Sequence, residues 1–469
     1  MKKPVLCMLV VLLLLLPTAC GTPPSPMAVQ DFTEPALQTP SNTQIVTYYC
    51  TVGSYAQVLL EQVRLWNETT GRDNGVEIQV TTRCNCALTL EDHLRQGDTW
   101  DLIDTGGEIS LLENGWVKDL ETLNNPQIRL LLDSYRFCLV PGTASLSDKT
   151  MGLPKEAIPI KLAVNLDLFE KNGLELPATW EDIIKAAKTI AENGNGSEYG
   201  WGGCVWSGYI QKLLVLGTMN SVQTGFWDPN TEQYSFSQYE PVIEALTRMY
   251  ADGSMLGFDT MTLDELRSQF SAGRIGMLPA LGYDFAVYTQ QFPARCRYTF
   301  IDMPVFDRNN TYPGVYDTSI GPSICAPLYD NGSDAHRKAV EEAWLFLNGD
   351  ALNRTLYQHG CIIPCKQELM ENTPLLLTEN TEQWKCISNL SACTVAFAAP
   401  DSLLTVEGKS YDSVFSSIIR GEQDWTADLI SDLEARYNAA YQALKGAASA
   451  ASGIYGYAYS HDREREELP

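Results

Sequence analysis

The chain has 469 residues and a formal charge of −25, from 33 Lys and Arg against 58 Asp and Glu. At 45% hydrophobic and 10% aromatic content it carries enough apolar material for large buried cores, which excludes wholesale disorder. A surface this acidic repels a phosphate backbone, so nucleic acid is excluded as a main partner, and the length suggests two or three domains of roughly 150 residues each.

Lys2 and Lys3 precede an apolar run from Val5 to Leu16 that ends in Pro17-Thr18-Ala19-Cys20-Gly21. A basic start, a short apolar stretch and a small-residue exit predict a secretory signal over residues 1–19. The run is shorter than the roughly 20 residues that a membrane-crossing helix needs. Thr-Ala-Cys-Gly resembles a bacterial lipobox, although the aliphatic Leu16 stands one place further from the cysteine, with Pro17 between. The resemblance implies lipid attachment at Cys20 and a protein held on the outer face of the cell membrane. The alternative is ordinary cleavage with a free Cys20. Two acyl signals would suffice for stable anchoring. Residues 20–43, rich in Pro, Thr, Ser and Gln, read as an extended tether. Loss of Lys2 and Lys3 with the signal would lower the charge by two, to −27, a surface with little attraction for anionic lipid.

Beyond the tether, Ile45-Val46-Thr47-Tyr48-Tyr49 has strand composition. Ala56, Leu59, Leu60, Val63 and Trp66 then recur at helical spacing, and Val76, Ile78 and Val80 alternate as a strand. Strand, helix and strand within about 40 residues form a βαβ unit, which implies a parallel sheet with helices on its faces. A short helix over Leu90–Arg95 leads to a third strand at Asp101–Asp104. The alternation continues through Ser110–Asn114 and Trp116–Leu120. Thr179, Ser237 and Thr262 each stand three residues before Asp or Glu and ahead of an apolar periodic run, which predicts three capped helices closed by Gly194, Gly253 and Gly273. Further amphipathic helices are expected at Ala339–Leu347 and Leu429–Leu444. After Gly446 the composition predicts a flexible tail, residues 446–469.

Of the 13 cysteines, Cys7 lies in the signal, Cys20 in the lipobox, and 11 remain. Eleven is odd, so disulfide formation would leave at least one thiol over. Cys84-x-Cys86 and Cys361-x-x-x-Cys365 lack zinc-knuckle spacing, and His93, His336, His359 and His461 are scattered, so no metal and no cofactor is expected. Cys361–Cys365 and Cys386–Cys393 are candidate local disulfides.

Several segments in order resemble the extracellular solute-binding proteins of ABC importers, the large type related to maltose-binding protein. Gly152-Leu153-Pro154, then Asn165-Leu166-Asp167 through Gly173-Leu174, then Pro177-Ala178-Thr179-Trp180-Glu181-Asp182, is similar to that family's crossover into its second lobe. Phe270 to Met277 followed by Gly282-Tyr283 resembles its Phe-x-x-Gly-Lys-x-Ala-Met segment and the aromatic residue after it. Ala343-Trp344-Leu345-Phe346-Leu347 with Gly360 and Pro364, then Ile419-Arg420-Gly421 before the last helix, complete the likeness, over residues 45–445. The resemblance implies an α/β, two-lobed periplasmic-binding-protein-like fold (type II), each lobe a central sheet flanked by helices, joined by a hinge. By analogy the first lobe takes 44–157 and 303–355, and the second 158–300 and 356–445.

A solute-binding cleft needs aromatic faces to displace water and carboxylates to accept hydrogen bonds, set outside the carboxyl ends of strands. Asp104 lies at such an end with Thr105-Gly106-Gly107-Glu108; helix capping is the equal alternative for Asp104. Trp206 follows the glycine-rich Gly200-Trp201-Gly202-Gly203, read as an exposed platform. The resemblance assigns Tyr283 and Asp284 to the cleft, and Tyr316 and Asp317 to a first-lobe loop entering it. Tyr55, after the first strand, reads as buried in the helix start, with a place in the cleft as the alternative; Trp227 reads as a turn anchor, with a ligand platform as the alternative. These seven residues, Asp104, Glu108, Trp206, Tyr283, Asp284, Tyr316 and Asp317, suit a carbohydrate, captured by closure and delivered to ABC permease subunits. The rivals are an exported carbohydrate-active hydrolase, for which no Gly-x-Ser-x-Gly, His-Glu-x-x-His or Ser-x-x-Lys motif is found, and a solute-sensing surface lipoprotein.

Overall fold

The computed structural model describes residues 43–51, 55–82, 90–105, 110–139, 145–146, 149–205, 208–222, 224–396 and 399–450. The expectations for the signal, Cys20, nearly all of the tether, Glu108, Trp206 and residues 451–469 lie outside them.

The principal strands are, in chain order, β1 (Gln44–Cys50), β2 (Val76–Thr82), β3 (Leu102–Ile103), β4 (Pro154–Asn165), β5 (Tyr199–Gly202) and β6 (Met255–Leu256). They continue with β7 (Ile275–Leu281), β8 (Tyr298–Asp302), β9 (Gly314–Ile320), β10 (Ser323–Ile324) and β11 (Cys393–Val395). The expected βαβ unit is present: β1 runs parallel to both β2 and β3, and β10 pairs antiparallel with β3. In β1 the side chains of Val46, Tyr48, Tyr49 and Cys50 are all buried, as befits a strand covered on both faces. Helix α1 (Ala56–Trp66) buries Leu59 and Val63 and continues as a wider turn to Gly71. There Asn67 donates to the Ile78 carbonyl and accepts from the Ile78 amide, both at 2.9 Å, which pins the helix end to β2.

The second sheet has seven strands, in the order β6-β5-β7-β4-β9-β11, with β8 also paired to β4. Helices α2 (Trp180–Gly194), α3 (Glu240–Ala251) and α4 (Leu263–Ser271) accompany it. Helix α5 (Asp334–Asn348) returns to the first sheet, where Ala343, Trp344 and Leu347 are buried and the Trp344 indole donates to the Pro322 carbonyl at 2.8 Å. The Ala-Trp-x-Phe-Leu pattern is therefore a packing face.

Three segments join the lobes. The 12-residue β4 enters the second lobe, and β9 pairs antiparallel with its first half, Tyr316 opposite Pro159 and Ser319 opposite Glu156. The third crossing is Ile363-Pro364, where the Ile363 carbonyl accepts from the Ala157 amide at 2.7 Å and Pro364 bridges to Glu156. Residues 314–320 thus lie in strand register with the larger sheet, and the chain rejoins the smaller sheet at Ser323, later than the expected 303.

The caps at Thr179 and Thr262 form as expected, each closed reciprocally by Asp182 or Glu265. The one at Ser237 does not. Ser237–Tyr239 is a short 3₁₀ turn, α3 starts at Glu240 without a side-chain cap, and Glu434 instead accepts the Phe236 and Ser237 amides at 2.6 and 3.1 Å. A carboxylate from far along the chain has replaced the local one. Gly253 and Gly273 close their helices with positive φ, whereas at α2 the left-handed residue is Asn195. Helix α6 (Tyr411–Ile419) precedes α7 (Ala427–Ala450), which runs beyond the expected tail boundary at 446. No helix among the described residues is long and apolar enough to cross a membrane.

Under α6 and α7 the second lobe holds an aromatic nucleus, with Phe226 edge-on to Phe236, Tyr239 and Tyr411 at 4.8–4.9 Å. The Tyr234 and Tyr411 hydroxyls both donate to Asp401, at 2.5 and 2.8 Å. Burial and the charge of Asp401 push the Asp412 carboxyl up to about 6. Its folded value lies above the ordinary one, so its contribution to stability is complete below about pH 4 and is lost as pH rises through 6. Asp412→Asn should therefore stabilise the protein at pH 8, by on the order of 2 kcal/mol, and change little at pH 4. Denaturant melts at both pH values check this; an equal shift at both would refute it.

Candidate functional site

In open α/β sheets, ligands sit outside the carboxyl ends of the strands. In the first lobe these ends are Cys50-Thr51 after β1 and Asp104-Thr105 after β3. Asp104 is only 4% exposed; it accepts the Tyr48 hydroxyl at 2.7 Å and the Thr51 amide at 3.0 Å. Burial raises its carboxyl above the ordinary range, opposed by these bonds and by the charge of Lys155. Asp104 therefore fixes the loop after β1 and supplies charge from behind.

Lys155 and Glu156 stand side by side near the start of β4, between the lobes. Lys155 is buried, donates to the Leu347 carbonyl at 3.0 Å and lies 5.4 Å from the centre of the Tyr55 ring. Burial pulls the amine below its ordinary value, opposed by Asp104 and Glu156. Burial pushes the Glu156 carboxyl up to about 8, with Lys155 opposing. The shift favours the neutral carboxyl, which can donate as well as accept. Tyr55 of the first lobe and Tyr283 of the second both lie within electrostatic range of it. Neither Lys155 nor Glu156 stands among the expected site residues. Their signal was available: two adjacent charges stand in a strand whose other residues, Lys161 and Asn165 apart, are apolar.

In the second lobe the corresponding ends are Gly202–Val205 after β5 and Gly282-Tyr283 after β7. A Cβ on Gly282 would sit 2.9 Å from Pro159 and 3.1 Å from Ile363, so the glycine lets β7 end flush against two of the crossings. Tyr283 is half-buried, with the Arg267 guanidinium 5.6 Å from its ring centre. Burial and Asp284 raise its hydroxyl to about 12. Asp284 is 1% exposed, lies 2.5 Å from Arg267, and accepts the Leu281 amide at 2.8 Å. Its carboxylate is occupied in holding the turn that presents Tyr283.

Tyr316 and Asp317 lie on β9, a strand of the crossing; the loop expected at Gly314–Thr318 is absent because these residues pair with β4 and β11. Tyr316 is buried, while Asp317 is half-buried and accepts the Thr318 amide at 2.8 Å. The platform expected at Trp206 lies outside the described residues, and the stretch before it is packed. Trp201 is fully buried and donates to Tyr209 at 2.9 Å, and Gly200 is pressed against α2. Trp227 is the turn anchor expected, buried beside the Asp228 turn. A separate pocket of about 490 Å³ in the second lobe, lined by Pro177, Leu216, Asn220, Met303 and Tyr312, contains none of the expected residues. The candidate disulfides are absent: Cys361, Cys365, Cys386 and Cys393 are free thiols.

A family model described as "Bacterial extracellular solute-binding protein" matches residues 93–348. No protein of curated function matches by sequence. Among solved structures, an ABC substrate-binding protein from Listeria monocytogenes in complex with cycloalternan is similar over 86% of this chain and 99% of its own, with 15% identity and a TM-score of 0.59. The sugar-binding protein MalE from Xanthomonas citri is similar over 86% and 98%, with 13% identity and a TM-score of 0.62. A cyclic alpha-maltosyl-1,6-maltose binding protein from Arthrobacter globiformis is similar over 86% and 100%, with 13% identity and a TM-score of 0.61. At such identities these likenesses establish the two-lobed fold.

Proposed function

Because the chain belongs to the bacterial extracellular solute-binding proteins, we propose that it captures a carbohydrate between its lobes, unchanged, and delivers it to an ABC permease. The observation that carries this reading is Glu156, which stands on a crossing strand within electrostatic reach of a tyrosine from each lobe. A carboxyl that burial holds toward its neutral form, within electrostatic range of two phenols, offers donors and acceptors matched to sugar hydroxyls, and the face of Tyr283 suits a sugar ring. The solved relatives named for maltose-type sugars and cycloalternan support the ligand class.

In this reading Tyr283 contacts the sugar, while Asp104 and Asp284 position Tyr48, Thr51 and the β7 turn. Glu108, Trp206 and Asp317 are further candidates for the rim. A ligand touching both lobes favours the closed form by its greater affinity for it, and the three crossings absorb the motion. The Cys20 lipobox and tether would keep the clamp beside the permease on the outer membrane face.

Tyr283→Ala should weaken binding of a malto-oligosaccharide at least tenfold (about 1.4 kcal/mol), measured well below the melting temperature of both proteins because removing a half-buried ring also lowers stability. Calorimetry on both proteins decides this, and unaltered affinity removes Tyr283 from the site. Recovery of the sugar hydrolysed, rather than intact, would overturn the binding-only function.

A further inference from the structure

The second-lobe pocket of about 490 Å³ opens beside the crossing strands β4 and β9, and its size falls in the range of roughly 300–1,000 Å³ usual for small-molecule sites. Its floor is apolar and buried, formed by Ile160 of β4, Val315 of β9 and Met303. Hydrogen bonds between separate segments hold the walls. The Asn220 side chain donates to the Met303 carbonyl at 2.5 Å, the Asn220 carbonyl accepts from the Tyr312 amide at 2.8 Å, and the Ala392 carbonyl accepts from the Gly314 amide at 2.8 Å. Asp302 lines the exposed side, where buried Lys161 donates to one of its carboxylate oxygens at 2.5 Å and to the Asn389 carbonyl at 3.0 Å. Among the described residues, the second Asp302 carboxylate oxygen and the Tyr312 hydroxyl have no hydrogen-bond partner.

We propose that this pocket is a second small-molecule site, apart from the interlobe cleft, which takes a neutral polyhydroxylated ligand of one or two sugar rings. The apolar floor suits the C–H face of such a ring. The spare Asp302 oxygen accepts from a ligand hydroxyl, and the Tyr312 hydroxyl both donates and accepts. Lys161 already balances the carboxylate, so a cationic ligand finds no unpaired charge there, while an anion faces Asp302 at the entrance. Walls already fixed by backbone bonds cost a ligand little ordering on entry. Cys393 of β11, half-buried, also lines the pocket, and a Cβ on Gly314 would stand 3.3 Å from its sulfur. This free thiol reports on occupancy, because a ligand seated against it blocks an incoming alkylating agent.

The test alkylates the native full chain with iodoacetamide, with and without D-glucose, D-galactose or sucrose, and follows each cysteine by peptide mass spectrometry. Burial raises the Cys393 thiol above its ordinary value, so the reaction is run at alkaline pH. With one of these sugars at about ten times its Kd, mass action should slow alkylation of Cys393 about tenfold, while Cys296, a half-buried thiol outside the pocket, keeps its rate. Tyr312→Phe keeps the ring and removes only the hydroxyl, so it should raise the sugar concentration for half-protection at least fivefold. Tyr283→Ala, which alters the interlobe cleft, should leave that concentration unchanged. Protection lost in Tyr283→Ala and kept in Tyr312→Phe would place the sugar in the cleft and overturn the proposal. Failure of all three sugars to protect Cys393, or protection by n-butylamine in their place, would overturn it as well.

Discussion

Arg267→Met is expected to cost about 3–5 kcal/mol of folding stability, the scale for breaking a buried ion pair from one side. Arg267 is 8% exposed; it reaches Asp284 at 2.5 Å and Asp264 at 2.9 Å and covers the Tyr283 ring. Asp264 is on the surface and loses little when the arginine goes. Asp284 is fully buried, and its carboxyl, already raised by burial, loses the charge that offsets that burial. It must then take up a proton or leave the core. The penalty should accordingly grow as pH rises and shrink in acid, since protonation relieves it. Combining Arg267→Met with Asp284→Asn removes the orphaned charge and should restore most of the loss, because an amide can still accept the Leu281 amide. Urea melts of the single and double variants at pH 5 and pH 8 decide this. A double variant no more stable than the single would show that the arginine acts by packing alone. The same substitution should lower sugar affinity more than stability alone requires, because Tyr283 loses the surface that orients it.

Much of this fold is legible in the chain because its signals are local. The β-branched run of β1, the i, i+3, i+4 spacing of α1 and the boxes at Thr179 and Thr262 depend on neighbours within one or two turns. Ser237 carried the same signal and failed, because Glu434 arrives from α7 to satisfy those amides. The site was harder to read. Asp284 and Tyr283 are adjacent in sequence, yet one is fixed by Arg267 inside the lobe while the other borders the crossing, and only the packing of α4 separates their roles. Glycines before Trp206 suggested exposure there; of these, Gly200 serves close packing against α2. Tyr316 read as a loop residue because antiparallel pairing with β4 leaves no short-range mark. Glu156 escaped notice because two adjacent charges near the start of a strand do not by themselves say that the strand will be a crossing.

Gly200→Ala is the sharper trial of that packing, since two physical effects predict opposite signs. Its φ lies outside the left-handed region, so alanine suits the backbone, and the reduced entropy of the unfolded chain alone would stabilise by about 0.4–1 kcal/mol. Space argues the other way. The new Cβ would lie 2.0 Å from the Ala187 Cα, 2.4 Å from its carbonyl oxygen and 2.5 Å from its carbonyl carbon. These are backbone atoms, so no rotamer change relieves the clash, and α2 must lift off β5. That helix is held down by Ile183, Ala187 and Ile190, all fully buried. A shift large enough to admit a methyl group opens gaps along this row, which places the cost at about 3 kcal/mol or more. Gly446→Ala provides the control: the residue is exposed on α7 with nothing within 4 Å of its new Cβ, and the same substitution there should stabilise by roughly 0.5–1 kcal/mol. Under the proposed function β5 runs into the cleft edge at Gly202–Val205, so a displaced α2 should also reduce sugar affinity in whatever fraction stays folded. Matching melting temperatures for the two alanine variants would show that the helix and strand are not in contact at Gly200.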